Sequence, residues 1–488
     1  MAANNWHIAT NGSPAGDGTP ARPCDLATAL SGAVGKPGDV FWLQGGTYKL
    51  GHLTTKIQGA PGLPFTFRPV PGERARIDGS LSFFDSAGYV VLRDIEVFSS
   101  DIRRLSKQTN AGFHPTDIHP INGLASYAPN MSFINLVVHD ETGEGIYISQ
   151  AGTNNLVYGC VVFNNGWRSP DNAEGHGIYV QGHLGGREIA DNIVFNNAGA
   201  GLHVYADEPG ALLAGITLDG NVAFNAGAIQ DTRFYRDWII GVDAPAEKAD
   251  GIVFQNNLGY LPLAQKAQNE DNAAQLGRQG NNGSVAILNN YLPQGLAVNN
   301  WTTATVSGNQ VAMPAGAAAV SLSRTRLLLT TRWDSNNYTV VAADAGFKDN
   351  TVTLSFPGWQ HRTGFDANSV CQIGGLHGVK VFVRSNRFQP GRANIIVYNW
   401  TKLGFASVDV SQVLPRNAAY EIRDAQNFYG SPVASGVYRG QPLILPMNGL
   451  RPAPPNGPML MPPPTGPSFN VFVLLPRQAM PKLQLTGG

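Results

Sequence analysis

Three short segments align without gaps and repeat one pattern of apolar and polar side chains. They are EGIYIS (144–149), HGIYVQ (176–181) and AGLHVY (200–205). Since successive side chains of a strand face opposite sides, the Ile, Leu and Val positions predict one buried face. The opposite, outward column consists of Tyr147, Tyr179 and His203. Such a column of aromatic and basic rings indicates a functional surface.

Further polar and ionisable residues lie beside this column, at strand ends and in the adjoining turns. The hypothesised catalytic residues are His176, Tyr179, His203, Glu144, Asp140 and Glu174. The hypothesised substrate-binding residues are Tyr147, Gln181, Tyr205, Arg168, Arg233 and Asp207. Aromatic faces stack on sugar rings, and positioned acids and bases move protons, so the set favours cleavage of a sugar chain.

Hydrolysis is one chemistry that these residues could perform. It needs two carboxyl groups on opposite sides of the glycosidic bond. Two of Asp140, Glu144, Glu174 and Asp207 would supply them.

Elimination from a uronate is the chemistry that we favour at this point. It needs a base for the proton next to the carboxylate and a cation that stabilises the enolate. The base and acid would come from His176, Tyr179 and His203. Glu144, Asp140 and Glu174 would orient them or hold a cation. The substrate carboxylate would meet Arg168 and Arg233.

Two simpler interpretations stand beside these. A lone His in a β-rich protein is often structural, which applies to His139 before Asp140. The whole solenoid could also bind glycans without catalysis.

Ca²⁺ is the one candidate cofactor, because Asp171, Asn172 and Glu174 offer oxygen ligands, although they lack a diagnostic spacing.

A recurring phrase predicts the scaffold that positions these residues. It begins at Asn135, Cys160, Asn192, Asn221, Asn257, Asn290 and Asn309, in steps of roughly 19 to 36 residues. This period is typical of a solenoid in which each turn stacks on the next. The Asn side chains are expected to form an internal amide ladder, with Cys160 in a packing role. Insertions around 101–120, 165–174, 228–248 and 261–282 would form walls on one side.

The predicted organisation has three parts. Residues 1–80 form a cap and the first coils, in which DLATALSGA is a short helix with Asp25 as N-cap. Residues 81–372 form the parallel solenoid. Residues 373–488 alternate with period two and predict an antiparallel β-sandwich that includes a Pro-rich segment.

Composition excludes several classes of function. The formal net charge is zero, so no basic surface indicates nucleic-acid binding. No apolar run reaches the roughly 18 residues of a membrane span. We expect a monomer with a polysaccharide as its partner. The chain opens MAANNWH, without a signal-peptide pattern, which fits either a cytoplasmic protein or one whose leader was replaced by a start Met.

Several segments resemble secreted bacterial right-handed parallel β-helix proteins of the pectate-lyase-like superfamily. GDGTPARPCDLATAL and PGDVFWLQGGTY resemble that superfamily's N-terminal cap, and REIADNIVFNNAGAGLHVY resembles its coils. The resemblance implies a right-handed parallel β-helix, secretion and activity as a polysaccharide lyase or glycoside hydrolase. It does not select the reaction, since one fold hosts many. We therefore expect an extracellular polysaccharide-cleaving enzyme, with a lyase favoured over a hydrolase.

Overall fold

The chain forms two compact units. The computed structural model describes residues 4–84, 86–110, 112–182, 185–206, 212–243, 248–261, 272–313, 317–324 and 330–477. One unit comprises Met1–Leu376 together with Pro454–Pro462, and the other comprises His377–Ala453 together with Pro463–Gly488. The nine residues 454–462 of the Pro-rich segment therefore belong to the first unit.

The first unit is a stack of parallel strands arranged in three ladders. The first ladder joins 12 strands, with Leu212–Ala214 and Lys248–Asp250 paired beside it. Its strands are Asn5–Ile8, Val40–Leu43, Phe65–Pro69, Val90–Arg93, Met131–Ile134, Asn155–Tyr158, Arg187–Ala190, Ile216–Asp219, Ile252–Gln255, Asn281–Leu288, Trp301–Ser307 and Arg332–Asp334.

The second ladder contains the strands that start within the recurring phrase. Gly46–Thr55 and Ala75–Phe83 are long enough to serve both the second and the third ladder. The other strands of the second ladder are Glu96–Phe98, Val137–His139, Val161–Phe163, Ile193–Phe195, Val222–Phe224, Leu258–Tyr260, Tyr291–Leu292, Gln310–Met313, Asn337–Val340 and Val370–Ile373.

The third ladder contains the Tyr and His column. Its strands are Leu124–Ser126, Ile146–Ile148, Ile178–Val180, Leu202–Ala206, Trp238–Val242, Ala274–Leu276, Leu296–Asn299, Val320–Ser323 and Phe347–Asp349, with Val352–Leu354 antiparallel at the end. Ile146, Ile178 and Leu202 are adjacent and fully buried. The alternation in the sequence therefore identified the core face, and the parallel β-helix prediction is confirmed.

A ladder of buried Asn side chains runs along the solenoid, as predicted. Nδ2 of Asn192 donates to Oδ1 of Asn221 at 2.8 Å, and the same pattern continues from Asn221 to Asn257 at 3.1 Å. It continues through Asn290, Asn309 and Asn336. Each of these amides also donates to a backbone carbonyl, which satisfies polar groups inside the coil.

Asn135 corrects the alignment of the recurring phrase by one residue. Val137 pairs with Val161, so Leu136 and not Asn135 lies beside Cys160 in the ladder column. Asn135 instead has a φ of 55° and precedes that column. Asn tolerates this left-handed conformation better than most residues, which explains the Asn at position 135.

Helices cover both ends of the stack. Leu26–Leu30 begins after Asp25, whose Oδ1 accepts from the Thr28 N–H at 2.8 Å, and its buried side chains include Leu26 and Leu30. This confirms the predicted N-cap. Phe356–Thr363 follows the third ladder and buries Trp359. Within the described ranges, no helix has the length and apolar character of a membrane crossing.

The second unit is an antiparallel β-sandwich, as predicted. One sheet contains Val379–Ser385, Ala393–Asn399, Phe469–Pro476, Ala419–Asp424 and Ala434–Val437. The other pairs Phe405–Val408 with Leu443–Pro446, and a short 3₁₀ helix spans Ala425–Asn427. Ile395, Val408 and Leu445 belong to one buried cluster, which forms the core between the two sheets.

Candidate active site

The strand register places the Tyr and His side chains of the third ladder side by side. Tyr147 pairs with Tyr179, Tyr179 with His203, and His203 with Ile239. The Tyr179 and His203 rings stack with centroids 5.0 Å apart, and Tyr147 meets Tyr179 edge-on at 5.5 Å. These rings form an aromatic surface outside the buried core.

This aromatic surface lines a cleft of about 600 Å³. The hypothesised site residues that line the cleft are Glu144, Tyr147, Glu174, His176, Tyr179, Gln181, His203, Tyr205 and Arg233. Nine of the twelve residues thus meet in one place.

Glu144 lies at the start of its strand and is tied to the next coil. Its Oε2 accepts a hydrogen bond from the backbone N–H of His176, while its own N–H donates to Oδ1 of Asn122 at 2.9 Å. Burial, followed by the charge of Glu174, raises the pKa of Glu144 well above its ordinary value. This rise favours the protonated form of Glu144, and Oε1 is the natural position of its proton because Oε2 already accepts a hydrogen bond.

Glu174 is held by two donors from an insertion two coils further along the chain. Its Oε1 lies 2.5 Å from the Tyr235 hydroxyl and 3.2 Å from Nη1 of Arg233. Burial raises the pKa of Glu174, and the Tyr235 hydrogen bond and the Arg233 charge offset part of that rise. Oε2 lies 3.4 Å from Nε2 of His176.

The two histidines form a hydrogen-bonded pair with defined tautomers. The Ala200 N–H donates to Nδ1 of His176 at 2.8 Å, so the His176 proton resides on Nε2. That nitrogen lies 2.9 Å from Nδ1 of His203, so His203 carries its proton on Nε2. Burial, followed by the charge of Arg233, lowers the pKa of His176 to about 3. Both rings are neutral, since burial also lowers the pKa of His203.

Polar and charged groups surround the aromatic surface. The Tyr147 hydroxyl donates to Oε1 of Gln181 at 2.7 Å. Arg278 lies over the Tyr205 ring at 5.2 Å and pairs with Asp243 at 2.5 Å. Both arginines near the column therefore already have carboxylate partners, Arg233 with Glu174 and Arg278 with Asp243.

Asp140, hypothesised as catalytic, does not line the cleft. It follows the strand Val137–His139 of the second ladder, where its Oδ1 accepts from Nη1 of Arg104 at 3.2 Å and its Oδ2 lies 2.7 Å from Nδ1 of His139. Nε2 of His139 lies 3.1 Å from Glu96. Burial alone would lower the pKa of His139, but hydrogen bonds to Asp140 and Glu96 outweigh it and raise that pKa to about 9. The group is a buried network of charges, in agreement with the structural interpretation of His139.

Arg168, hypothesised to bind substrate, also lies outside the cleft lining. Its Nη1 pairs with Asp231 at 3.2 Å, and its Nε donates to the Pro458 carbonyl at 3.1 Å. Asp207, the remaining hypothesised residue, lies outside the described residues.

The oxygen groups considered for Ca²⁺ have other partners. Oδ2 of Asp171 accepts from the Asn110 N–H at 2.6 Å, and Oδ1 of Asn172 accepts from Arg233 at 3.3 Å. The described residues contain no group of three or more His, Cys, Asp or Glu that could hold a metal ion. Ca²⁺ binding remains a hypothesis from the sequence.

The structure adds several cleft residues that the sequence did not single out. They come from the predicted wall-forming insertions and are Phe113, Trp167, Tyr235, Asp243 and Arg278. The run RFYR (233–236) was the available signal for Tyr235, because it interleaves aromatic and basic residues within an insertion.

Residues 6–237 match the family model described as Pel9A-like, right handed beta helix region. This region is similar to the Pel9A-like right-handed β-helix family. The Pel9A-like region contains the strands of Tyr147, Tyr179 and His203 and most of the cleft lining. The resemblance to pectate-lyase-like β-helices is thereby confirmed. None of the curated proteins matches the chain.

The solved structures that match the chain include carbohydrate-active enzymes. The crystal structure of pectate lyase Pel9A is 16% identical, with 69% of this chain and 80% of that chain covered and a TM-score of 0.43. The GH136 lacto-N-biosidase from Eubacterium ramulus is 13% identical over 77% of this chain and 68% of that chain, with a TM-score of 0.46. A rhamnogalacturonan lyase is 13% identical over 76% and 87%, with a TM-score of 0.41. At these identities the likeness concerns the fold alone.

Proposed function

We propose that the chain is a polysaccharide-cleaving enzyme that acts outside the cytoplasm and cleaves glycosidic bonds by acid–base hydrolysis. The observation that carries this proposal is a pair of carboxyl groups, Glu144 and Glu174, that line one aromatic cleft in different environments. Burial raises the pKa of both groups, but at Glu174 the Tyr235 hydrogen bond and the Arg233 charge offset part of that rise. Such a difference in environment is a usual basis for assigning acid and base roles to a pair of titratable groups.

Glu144 is suited to be the general acid. Burial raises the pKa of its carboxyl group and so favours the protonated form, and the His176 N–H occupies Oε2, which leaves Oε1 for the proton. This proton would pass to the oxygen of the leaving sugar as the glycosidic bond breaks.

Glu174 is suited to be the nucleophile or the general base. Tyr235 and Arg233 stabilise its negative charge through Oε1, and Oε2 remains for water or the sugar carbon. The nearby His176 does not compete, since its Nε2 proton is directed to Nδ1 of His203. Tyr147 and Tyr179 offer stacking surfaces for the sugar rings.

Release of reducing ends from acidic and neutral polysaccharides, with and without chelator, tests this proposal. Glu144→Gln and Glu174→Gln should each lower the rate by about a hundredfold or more, because each removes an acid–base group. Asp409→Asn, which changes an exposed carboxylate of the second unit, is the matched control and should keep full activity. Full activity of either glutamine variant would exclude the assignment.

Elimination from a uronate is the second candidate, because the Arg233 side chain is 45% exposed beside the cleft and could meet a substrate carboxylate. Its weak point is the base, since a histidine with a pKa of about 3 accepts a proton poorly. Ultraviolet absorbance of an unsaturated uronate product would favour the lyase, and reducing ends without that absorbance would favour the hydrolase. Glycan binding without any product would identify a non-catalytic protein.

A further inference from the structure

Arg168 lies where three separate segments of the first unit meet. Its backbone pairs with Ala173 in a two-stranded hairpin, in which Trp167 pairs with Glu174. Its guanidinium contacts Asp231 and the Pro458 carbonyl, and its side chain is 21% exposed. One side chain thus links the hairpin of Glu174 to residues 63 and 290 positions along the chain.

The second of these segments carries the donors to Glu174. Asp231 lies two residues before Arg233 and four before Tyr235 in the same insertion. The Tyr235 hydroxyl also lies 2.6 Å from the Ala173 carbonyl, which belongs to the hairpin. The position of this insertion relative to the hairpin therefore decides how well Glu174 is hydrogen-bonded.

The third segment, residues 454–462, is fixed on the β-helix at several points. The Asn456 N–H donates to Oδ1 of Asp140 at 2.7 Å, and the Leu460 N–H donates to the Ile229 carbonyl at 3.0 Å. Gly457 has a φ of +70°, and a Cβ there would come within 2.6 Å of the Ile102 carbonyl. This close approach requires glycine and shows how tightly the segment fits.

We propose that Arg168 is a positioning residue, which uses the anchored carbonyl of Pro458 and the carboxylate of Asp231 to hold Glu174 against Tyr235 and Arg233. The expected effect on catalysis rests on the proposed function. The expected effect of Arg168 on the hydrogen bonds of Glu174 does not rest on it.

Arg168→Met keeps the length of the side chain and removes its donors. Arg168 does not itself line the cleft, so KM should change little while kcat falls on the order of ten- to a hundredfold. Loss of the Tyr235 and Arg233 contacts should raise the pKa of Glu174, which moves the acidic limb of the kcat profile to higher pH. Arg168→Lys should restore activity only in part, because one ammonium cannot match the planar fork of arginine.

Arg103→Met is the matched control. The Arg103 side chain is 79% exposed, pairs with Asp101 two residues away, and makes no hydrogen bond or ion pair with residues 454–462 in the described part of the chain. It should change neither kcat nor the pH profile.

A readout without substrate separates this inference from the proposed function. Labelled glutamate followed by NMR during a pH titration, with Glu174 assigned from Glu174→Gln, should show a higher Glu174 pKa in Arg168→Met. Leu460→Pro removes the N–H that bonds to Ile229 and should shift the pKa in the same direction. An unshifted pKa in both folded variants would overturn the inference, even if Glu174 proves catalytic. A shifted pKa together with an active Glu174→Gln would support it while the hydrolase assignment fails.

Discussion

The backbone N–H of Ala200 donates to Nδ1 of His176 at 2.8 Å, which fixes the tautomer of a buried histidine from the neighbouring coil. The consequence passes to His203, whose Nδ1 must then accept from His176. Backbone hydrogen bonds between the parallel strands hold adjacent coils in register, so the two histidine rings have a well-defined position relative to each other.

The first expectation concerns the protonation of these histidines. Nitrogen NMR should show His176 protonated at Nε2 alone, with no titration around the ordinary value of 6.5, because burial lowers its pKa to about 3. A titration of His176 near neutral pH would contradict the hydrogen-bond arrangement.

The second expectation concerns the hydroxyl of Tyr235. Tyr235→Phe removes a hydrogen bond that lowers the pKa of Glu174, while burial, which raises that pKa, remains. The pKa of Glu174 should therefore increase, and the acidic limb of kcat should move to higher pH. Tyr147→Phe, which removes a hydroxyl bonded to Gln181 in the same cleft, should leave the limb in place. Equal profiles for the two variants would exclude Tyr235 from this role.

The third expectation concerns the charge of Asp140. Asp140→Asn leaves the Arg104 guanidinium, whose side chain is 0% exposed, without its carboxylate and should cost about 3–5 kcal/mol in the free energy of unfolding. Asn tolerates the φ of 58° at this position, so backbone strain does not confound the comparison.

Denaturant unfolding measures the cost, with Asp94→Asn as a control that has a similar φ of 61° and a more exposed ion pair. That variant should lose at most about 1 kcal/mol. Lost activity with unchanged stability in Asp140→Asn would instead indicate a catalytic Asp140.

The fourth expectation concerns the amide ladder. Asn221→Ala removes a 2.7 Å bond to the Ile189 carbonyl and the links to Asn192 and Asn257, at a cost of about 2–3 kcal/mol. Asn135→Gly, outside the ladder and at positive φ, should change stability by less than about 1 kcal/mol. Similar midpoints of unfolding for both variants would contradict the one-residue correction.

The amino-acid sequence by itself determined the coil, its core and the aromatic column. Strand alternation separates Ile146 from Tyr147, and a repeated position in stacked parallel coils places Tyr147, Tyr179 and His203 together. These relations are local or periodic, so residue types and their spacing are enough to predict them. The Asn ladder follows from the same periodicity, although its register at Asn135 needed the hydrogen bonds.

Only the tertiary structure decided which charged groups meet. Asp140 and Glu174 look alike in the sequence, yet one joins Arg104 in a buried network and the other faces the cleft. Tyr235 reaches Glu174 across 61 residues, and Pro458 reaches Arg168 across 290. The insertions and the 454–462 segment do not repeat along the sequence. Their paths depend on packing against the whole coil, so residue spacing alone cannot predict them.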